Sequence, residues 1–122
     1  MGWWSYNVMG GDTPLDHLDN IAEICGLHRT ADNPYNFTKD ILEKNLERIA
    51  LNIQNDDMFT DDNEIAWQVL GHLVLEHDID LPEAIKGYII ASFEWDEYAK
   101  RKPERKQVMN DYVSRLRTKV LT

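Results

Sequence analysis

The segment from residue 61 to residue 77, DDNEIAWQVLGHLVLEH, constrains the fold more than any other part of the chain. It is the most apolar run of the sequence, and polar residues recur in it every four positions, at Glu64, Gln68, His72 and Glu76. This spacing places the four polar side chains on one side of a helix and leaves most of the circumference apolar. Because neighbouring elements bury such a helix on most sides, we expect residues 61–77 to form the central helix of a bundle.

Two amphipathic helices are predicted before the central one. The first begins at Thr13, whose hydroxyl is placed to cap it, and is ended by Gly26. The second covers about residues 38–54 and is capped by Thr38. Their apolar stripes are Leu15, Leu18, Ala22 and Cys25 in the first helix, and Leu42, Leu46, Ile49 and Ile53 in the second.

Two further helices are predicted after the central one. The fourth starts near residues 81–83, with Asp80 or Leu81 as cap, and continues to about Lys100, and the fifth starts at Pro103. Their apolar stripes are Ile85, Tyr88, Ile89, Ser92 and Phe93 in the fourth helix, and Val108, Met109, Tyr112, Val113, Leu116 and Val120 in the fifth. The sequence shows no strand-like alternation of useful length. It therefore predicts an all-α fold, a single compact domain of about five helices over residues 1–122.

Gly71 lies in the middle of the central helix. A glycine there lowers helix propensity by about 1 kcal/mol relative to alanine. We therefore expect this glycine to serve packing, by letting a neighbouring helix approach the backbone closely.

The length and composition of the chain indicate its cellular compartment and its need for cofactors. A chain of 122 residues buries enough surface to fold without a metal or a disulfide, and no cofactor is expected. No apolar run approaches membrane-spanning length, and the N-terminus does not resemble a secretory signal. The single cysteine, Cys25, excludes an internal disulfide and lies on the apolar stripe of the first helix, where a core role is expected. We expect a cytoplasmic protein that does not contact a membrane.

Charge is distributed unevenly along the chain. Residues 1–99 contain 5 Lys/Arg and 20 Asp/Glu, whereas residues 100–122 contain 8 Lys/Arg and 2 Asp/Glu. One interpretation is internal complementarity, in which the basic segment docks on the acidic body. The other is a charged face that recognises a partner. The sequence favours the first interpretation and does not decide the oligomeric state.

Two groups of residues are candidates for binding a protein partner. Trp3 and Trp4 are adjacent near the N-terminus, where at least one is expected to pack on the body, and an exposed tryptophan would be an effective interface anchor. Carboxylates crowd between the second and third helices, at Asp56, Asp57, Asp61 and Asp62. Their spacing does not match a calcium-binding loop, so an acidic surface for a partner is the functional alternative. Together with the carboxylates of the first helix, residues 55–64 could also supply a surface that imitates DNA and occupies a DNA-binding protein.

The opening residues resemble a group of short helical proteins. M-G-W-W-S followed by G-G-D-T-P-L-D is similar to uncharacterised proteins of phages and bacterial genomes, some of which open with Met-Gly-x-Trp. The resemblance covers about the first sixteen residues. It implies an α-helical accessory protein and brings no catalytic residues with it. The leading hypothesis is thus a non-enzymatic, acidic interaction protein, a phage or mobile-element accessory factor that binds and modulates a host protein.

Nucleic-acid binding is the first alternative. The basic C-terminal helix supplies Arg105, Lys106, Arg115, Arg117 and Lys119 for contacts to phosphates. The acidic body and the pI of about 4.7 oppose this alternative, because they repel a polyanion at longer range.

A metal-dependent enzyme is the second alternative. His72 and Glu76 lie one helical turn apart and could bind a metal or exchange protons, with His17 or His28 as a further ligand. A structural role explains the same spacing equally well. His72 and Glu76 could form a hydrogen-bonded pair between helices or belong to the solvent-facing strip of an otherwise buried helix. Glu94, Asp96 and Glu97 form a second acidic group, but a small bundle gives no sign of the sugar cleft that paired carboxylates would need. Enzymatic activity is therefore not the expected function.

Overall fold

The computed structural model describes residues 12–27, 37–55, 63–94, 96 and 101–119. These residues form five helices and contain no β-strand, so the predicted all-α bundle is confirmed. The helices are α1 (Asp12–Ile24), α2 (Lys39–Gln54), α3 (Asn63–Glu76), α4 (Glu83–Glu94) and α5 (Pro103–Leu116). None of them combines the length and the apolar character that a membrane crossing requires.

The helix α3 occupies the centre of the bundle, as its apolar circumference predicts. It packs against α1, α2, α4 and α5, and its Ala66, Val69, Leu70 and Val74 have no exposed surface. The described helix begins at Asn63 and ends at Glu76, within the predicted range of 61–77.

Gly71 lies where side chains of α4 pack against the backbone of α3. A Cβ atom at this position would lie 2.8 Å from Cγ2 of Ile89 and 2.9 Å from Cε2 of Phe93, both on α4. These distances are shorter than van der Waals contact between carbon atoms, so any larger residue would force the side chains of Ile89 and Phe93 to shift. The expectation that Gly71 serves close helix packing is confirmed.

Several predicted helix ends are confirmed. Gly26 ends α1 with a φ of +75°, while the amide of Leu27 donates to the carbonyl of Ala22 at 2.9 Å, as in a Schellman motif. Thr38 caps α2 by accepting a hydrogen bond from the amide of Ile41 at 3.2 Å. Pro103 begins α5.

Three predicted helix ends are wrong. α1 begins at Asp12, so Thr13 lies inside the helix instead of capping it. α4 begins at Glu83 and the amide of Lys86 donates to the carbonyl of Pro82, so Pro82 and not Asp80 or Leu81 occupies the cap position. α4 ends at Glu94 and not near Lys100, because Asp96 leaves the helix and turns its carboxylate towards Arg105 in the interior.

Two predicted core residues are largely exposed. Leu15 is 40% exposed, because α1 is turned so that Pro14, His17 and Ile21 face the bundle instead. Tyr88 is 49% exposed, although one face of its ring stacks on Trp67 with centroids 5.2 Å apart.

The chain after α5 is held against the turn between α3 and α4. Asp78 adopts a φ of +55° there, and its carboxylate pairs with the ammonium of Lys119. The amide of Leu81 donates to the carbonyl of Lys119 at 3.3 Å, and Nζ of Lys86 donates to the carbonyl of Arg117 at 3.0 Å. This part of the basic segment therefore docks on the body of the same chain.

Candidate functional site

The polar strip of α3 turns into the bundle at its two middle members. Gln68 is 1% exposed and His72 is half-buried, whereas Glu64 and Glu76 at the two ends of the strip are exposed. The two inner residues meet polar side chains from α5 and from the segment before it. We call the resulting cluster, Gln68, His72, Asp96, Arg105 and Tyr112, the polar seam.

A buried ion pair forms one half of the polar seam. Arg105 has no exposed surface and Asp96 is 7% exposed, and Nη2 of Arg105 donates to Oδ2 of Asp96 at 3.1 Å. Removing such charges from water costs several kcal/mol for each ion, and close pairing with additional hydrogen bonds is required to offset this cost.

The amide of Gln68 completes the ion pair. Its Nε2 donates to Oδ2 of Asp96 at 2.8 Å and to the carbonyl of Ser92 at 3.0 Å, while its Oε1 accepts from Nη2 of Arg105 at 3.3 Å. An amide suits this position because it presents a donor to the carboxylate and an acceptor to the guanidinium. The cluster thereby joins α3, α4, the segment after α4 and α5.

A histidine–tyrosine pair forms the other half of the polar seam. Nδ1 of His72 lies 2.8 Å from the hydroxyl of Tyr112, and its Nε2 lies 3.4 Å from Oε2 of Glu76. Both contacts are satisfied when Nε2 carries the proton and faces the carboxylate, and Nδ1 accepts from the tyrosine. The ring of Tyr112 also stacks on Phe93, with centroids 5.1 Å apart.

The electrostatics of the pair favour neutral side chains. Burial lowers the pKa of His72 below its ordinary value of 6.5, with Arg115 and His77 acting in the same direction and Glu76 opposing them. Burial likewise raises the pKa of Tyr112 above its ordinary value of 10.0. At neutral pH the pair is an uncharged hydrogen bond between α3 and α5, which holds the two helices in register.

The described residues do not assemble a metal centre around His72 and Glu76. Within the described ranges, no three side chains of His, Cys, Asp or Glu lie close enough together to hold a metal ion. His17, proposed as a further ligand, is buried on α1, and His28 lies outside the described residues. Burial raises the pKa of the Cys25 thiol, which reduces its thiolate fraction and its nucleophilicity.

The basic residues proposed for nucleic-acid binding are spread over different environments. Arg105 is fully buried in the polar seam, which corrects its interpretation as a surface cation for phosphate. Exposed Arg115 lies 3.8 Å from Asp111, and exposed Arg117 lies 3.8 Å from Glu94. Lys119 pairs with Asp78, as described above. Lys106 is exposed, but the other four are buried or lie close to carboxylates, so these five residues do not form one uncompensated basic surface.

Six residues are proposed for the protein interface. Trp3, Trp4, Asp56, Asp57, Asp61 and Asp62 all lie outside the described residues. Their assignment to an interface stays a prediction.

Sequence reasoning missed that Arg105, Asp96 and Tyr112 meet Gln68 and His72. A signal for Arg105 was present, because it precedes Met109, Tyr112 and Leu116 at spacings of four, seven and eleven residues. A residue at that phase faces the core whatever its charge. Asp96 carried no comparable signal, because it lies just beyond the end of α4.

The charged side chains described as exposed on α1 are all carboxylates. Asp16, Asp19 and Glu23 of α1 are all exposed and share one side of the helix, and α1 contains no lysine or arginine. We call these three residues the acidic face. The side chain of Leu15, which is 40% exposed, lies beside it.

Searches of protein-family models, of curated proteins and of solved structures found no match to this chain.

Proposed function

We propose that this chain is a non-enzymatic interaction protein whose acidic face binds a basic surface of a protein partner. The observation that carries the proposal is the charge of α1, on which Asp16, Asp19 and Glu23 are exposed and which contains no lysine or arginine. The acidic face and a basic surface of a partner attract one another over distances up to about 10 Å at 0.1 M salt.

The stability of α1 does not explain the whole acidic face. Asp16 lies near the N-terminus, where the helix dipole favours a negative charge. Glu23 lies in the last turn, where the dipole disfavours it, and four residues after Asp19, where like charges repel by about 0.2–0.5 kcal/mol. A residue placed against local stability is a candidate for a role in recognition.

The polar seam supports a non-enzymatic role. Gln68, Asp96 and Arg105 hydrogen-bond one another in the interior, and His72 contacts the hydroxyl of Tyr112. These groups are engaged in holding helices together. A phage or mobile-element accessory factor acting on a host protein is the specific form of this proposal, and that form rests on the resemblance of the first sixteen residues alone.

Affinity capture from nuclease-treated bacterial lysate tests the proposal. The bait variant carries Asp16→Asn, Asp19→Asn and Glu23→Gln. The matched control carries Glu64→Gln, Glu83→Gln and Glu104→Gln, which remove the same charge from exposed positions on α3, α4 and α5. We expect one stoichiometric protein that the wild type and the control retain and the α1 variant loses. Equal retention by both variants, with both folded by circular dichroism, would contradict the proposal.

A further inference from the structure

A groove lies between α2 and the turn that joins α3 to α4. Its volume is about 330 Å³, and its lining residues are Glu43, Lys44, Leu46, Glu47, Asp80 and Pro82. Leu46 is 6% exposed, whereas the three carboxylates are exposed. The groove thus combines an apolar floor with an acidic rim.

The carboxylates of the rim come from both sides of the groove. Glu43 and Glu47 lie one turn apart on α2, where two like charges repel, and Asp80 comes from the turn opposite them. Lys39 forms an ion pair with Glu43 at 4.0 Å, but both side chains are exposed, where such a pair contributes little. Lys44 is the single cation among the six lining residues, so the rim keeps an excess of negative charge.

We propose that this groove binds an arginine side chain of the protein partner. An arginine has an aliphatic stem that packs on an apolar floor and a planar guanidinium that donates several hydrogen bonds to carboxylates. Leu46 and Pro82 supply the floor, and Glu43, Glu47 and Asp80 supply the carboxylates. The inference rests on the proposed function, because it names the chemistry of the partner that the acidic protein recognises.

A peptide titration of the full chain tests the groove. The probe is Ac-Leu-Arg-Leu-Arg-amide, and its partner probe replaces each arginine with citrulline, which keeps the shape and loses the charge. With the ¹⁵N-labelled protein, we expect the arginine peptide to shift the amide signals around Glu47 and Asp80, and the citrulline peptide to leave them unchanged. Comparable shifts from both peptides, or shifts confined to α1, would overturn the inference.

Two double variants separate the groove from general charge attraction. Glu43→Gln with Glu47→Gln removes two charges from the rim, and Glu64→Gln with Glu104→Gln removes two from exposed positions outside both the groove and the acidic face. We expect the rim variant to raise the peptide Kd by about fivefold, as loss of two exposed charge pairs implies, and the other variant by less than about twofold. Equal weakening by both variants would overturn the inference.

The experiments distinguish an incorrect groove proposal from an incorrect proposed function. A peptide that does not bind the groove, together with a captured partner that depends on the acidic face, contradicts only the groove. A peptide that binds the groove, together with a captured protein that ignores the charge of α1, contradicts only the proposed function.

Discussion

Helix α3 meets its two C-terminal neighbours by different physical means. Around Gly71 the contact with α4 is apolar and close, and this glycine lets the side chains of Ile89 and Phe93 approach the backbone. Against α5 the contact is polar, and Gln68 and His72 reach Arg105 and Tyr112.

The difference shows how one helix can be fixed in two directions. A close apolar contact depends on shape, because interiors packed like crystals do not absorb an added carbon atom. A buried polar contact is stable only when each of its donors and acceptors has a hydrogen-bond partner, because an unpaired buried group keeps its full desolvation cost. Substitutions at the two contacts of α3 should therefore lower the stability of the protein by different mechanisms and by different amounts.

The largest expected effect comes from Arg105→Ala on the polar side. The change leaves the carboxylate of Asp96 buried without its cation, and we expect the free energy of unfolding to fall by about 3–5 kcal/mol in urea denaturation. Arg101→Ala is the control, because Arg101 is exposed, and its effect should stay within about 0.5 kcal/mol. Similar effects of the two substitutions would refute the importance of the buried pair.

A smaller loss is expected from Gly71→Ala on the apolar side. Overpacking against Ile89 and Phe93 costs about 1–3 kcal/mol, and the better helix propensity of alanine returns about 1 kcal/mol of it. Gly87→Ala is the matched control on α4, because its added Cβ meets no atom within 4 Å. We expect thermal denaturation to show a lower Tm for Gly71→Ala and a higher Tm for Gly87→Ala. A higher Tm for both would mean that α4 moves away at little cost.

Tyr112→Phe should have a milder effect. It removes the hydroxyl that contacts His72 and keeps the ring that stacks on Phe93, so we expect a loss of about 1 kcal/mol in urea denaturation. Tyr88→Phe, at an exposed tyrosine that stacks on Trp67, should change the stability by much less. The hydrogen bond would be unimportant if both tyrosines behaved alike.

The smallest effect concerns the protonation of His72. Because its pKa is lowered in the folded chain, the unfolded chain binds more protons at mildly acidic pH. The free energy of unfolding should be highest above the unfolded pKa of about 6.5, decrease as the pH falls below it, and level off below the folded pKa. His72→Gln should flatten this part of the profile. Parallel pH profiles for the wild type and His72→Gln would show that His72 does not cause the decrease.

The sequence predicted α3 well because its signal is local. Apolar residues around most of its circumference and a polar residue every fourth position describe a buried helix with one distinct side, whatever the neighbours are. Gly71 added the prediction of a close neighbour, and α4 is that neighbour.

The partners of the polar strip could not be predicted in the same way. Gln68 meets Asp96 and Arg105, which lie 28 and 37 residues away along the chain, and no local pattern encodes such a distance. Leu15 illustrates a related limit. Ile21 and Ala22 are adjacent apolar residues of α1 and both are buried, so the sequence alone does not decide which side of the helix faces the core. The bundle around it decides the rotation.

Affinity capture with a polar-seam variant tests most directly whether the seam is structural and recognition lies elsewhere. His72→Gln with Tyr112→Phe alters the seam at two partly buried contacts and leaves the acidic face of α1 unchanged. The account predicts that this variant, once shown to be folded, retains the same partner as the wild type, whereas the acidic-face variant loses it. Loss of the partner from the folded seam variant, together with its retention by the acidic-face variant, would contradict the account.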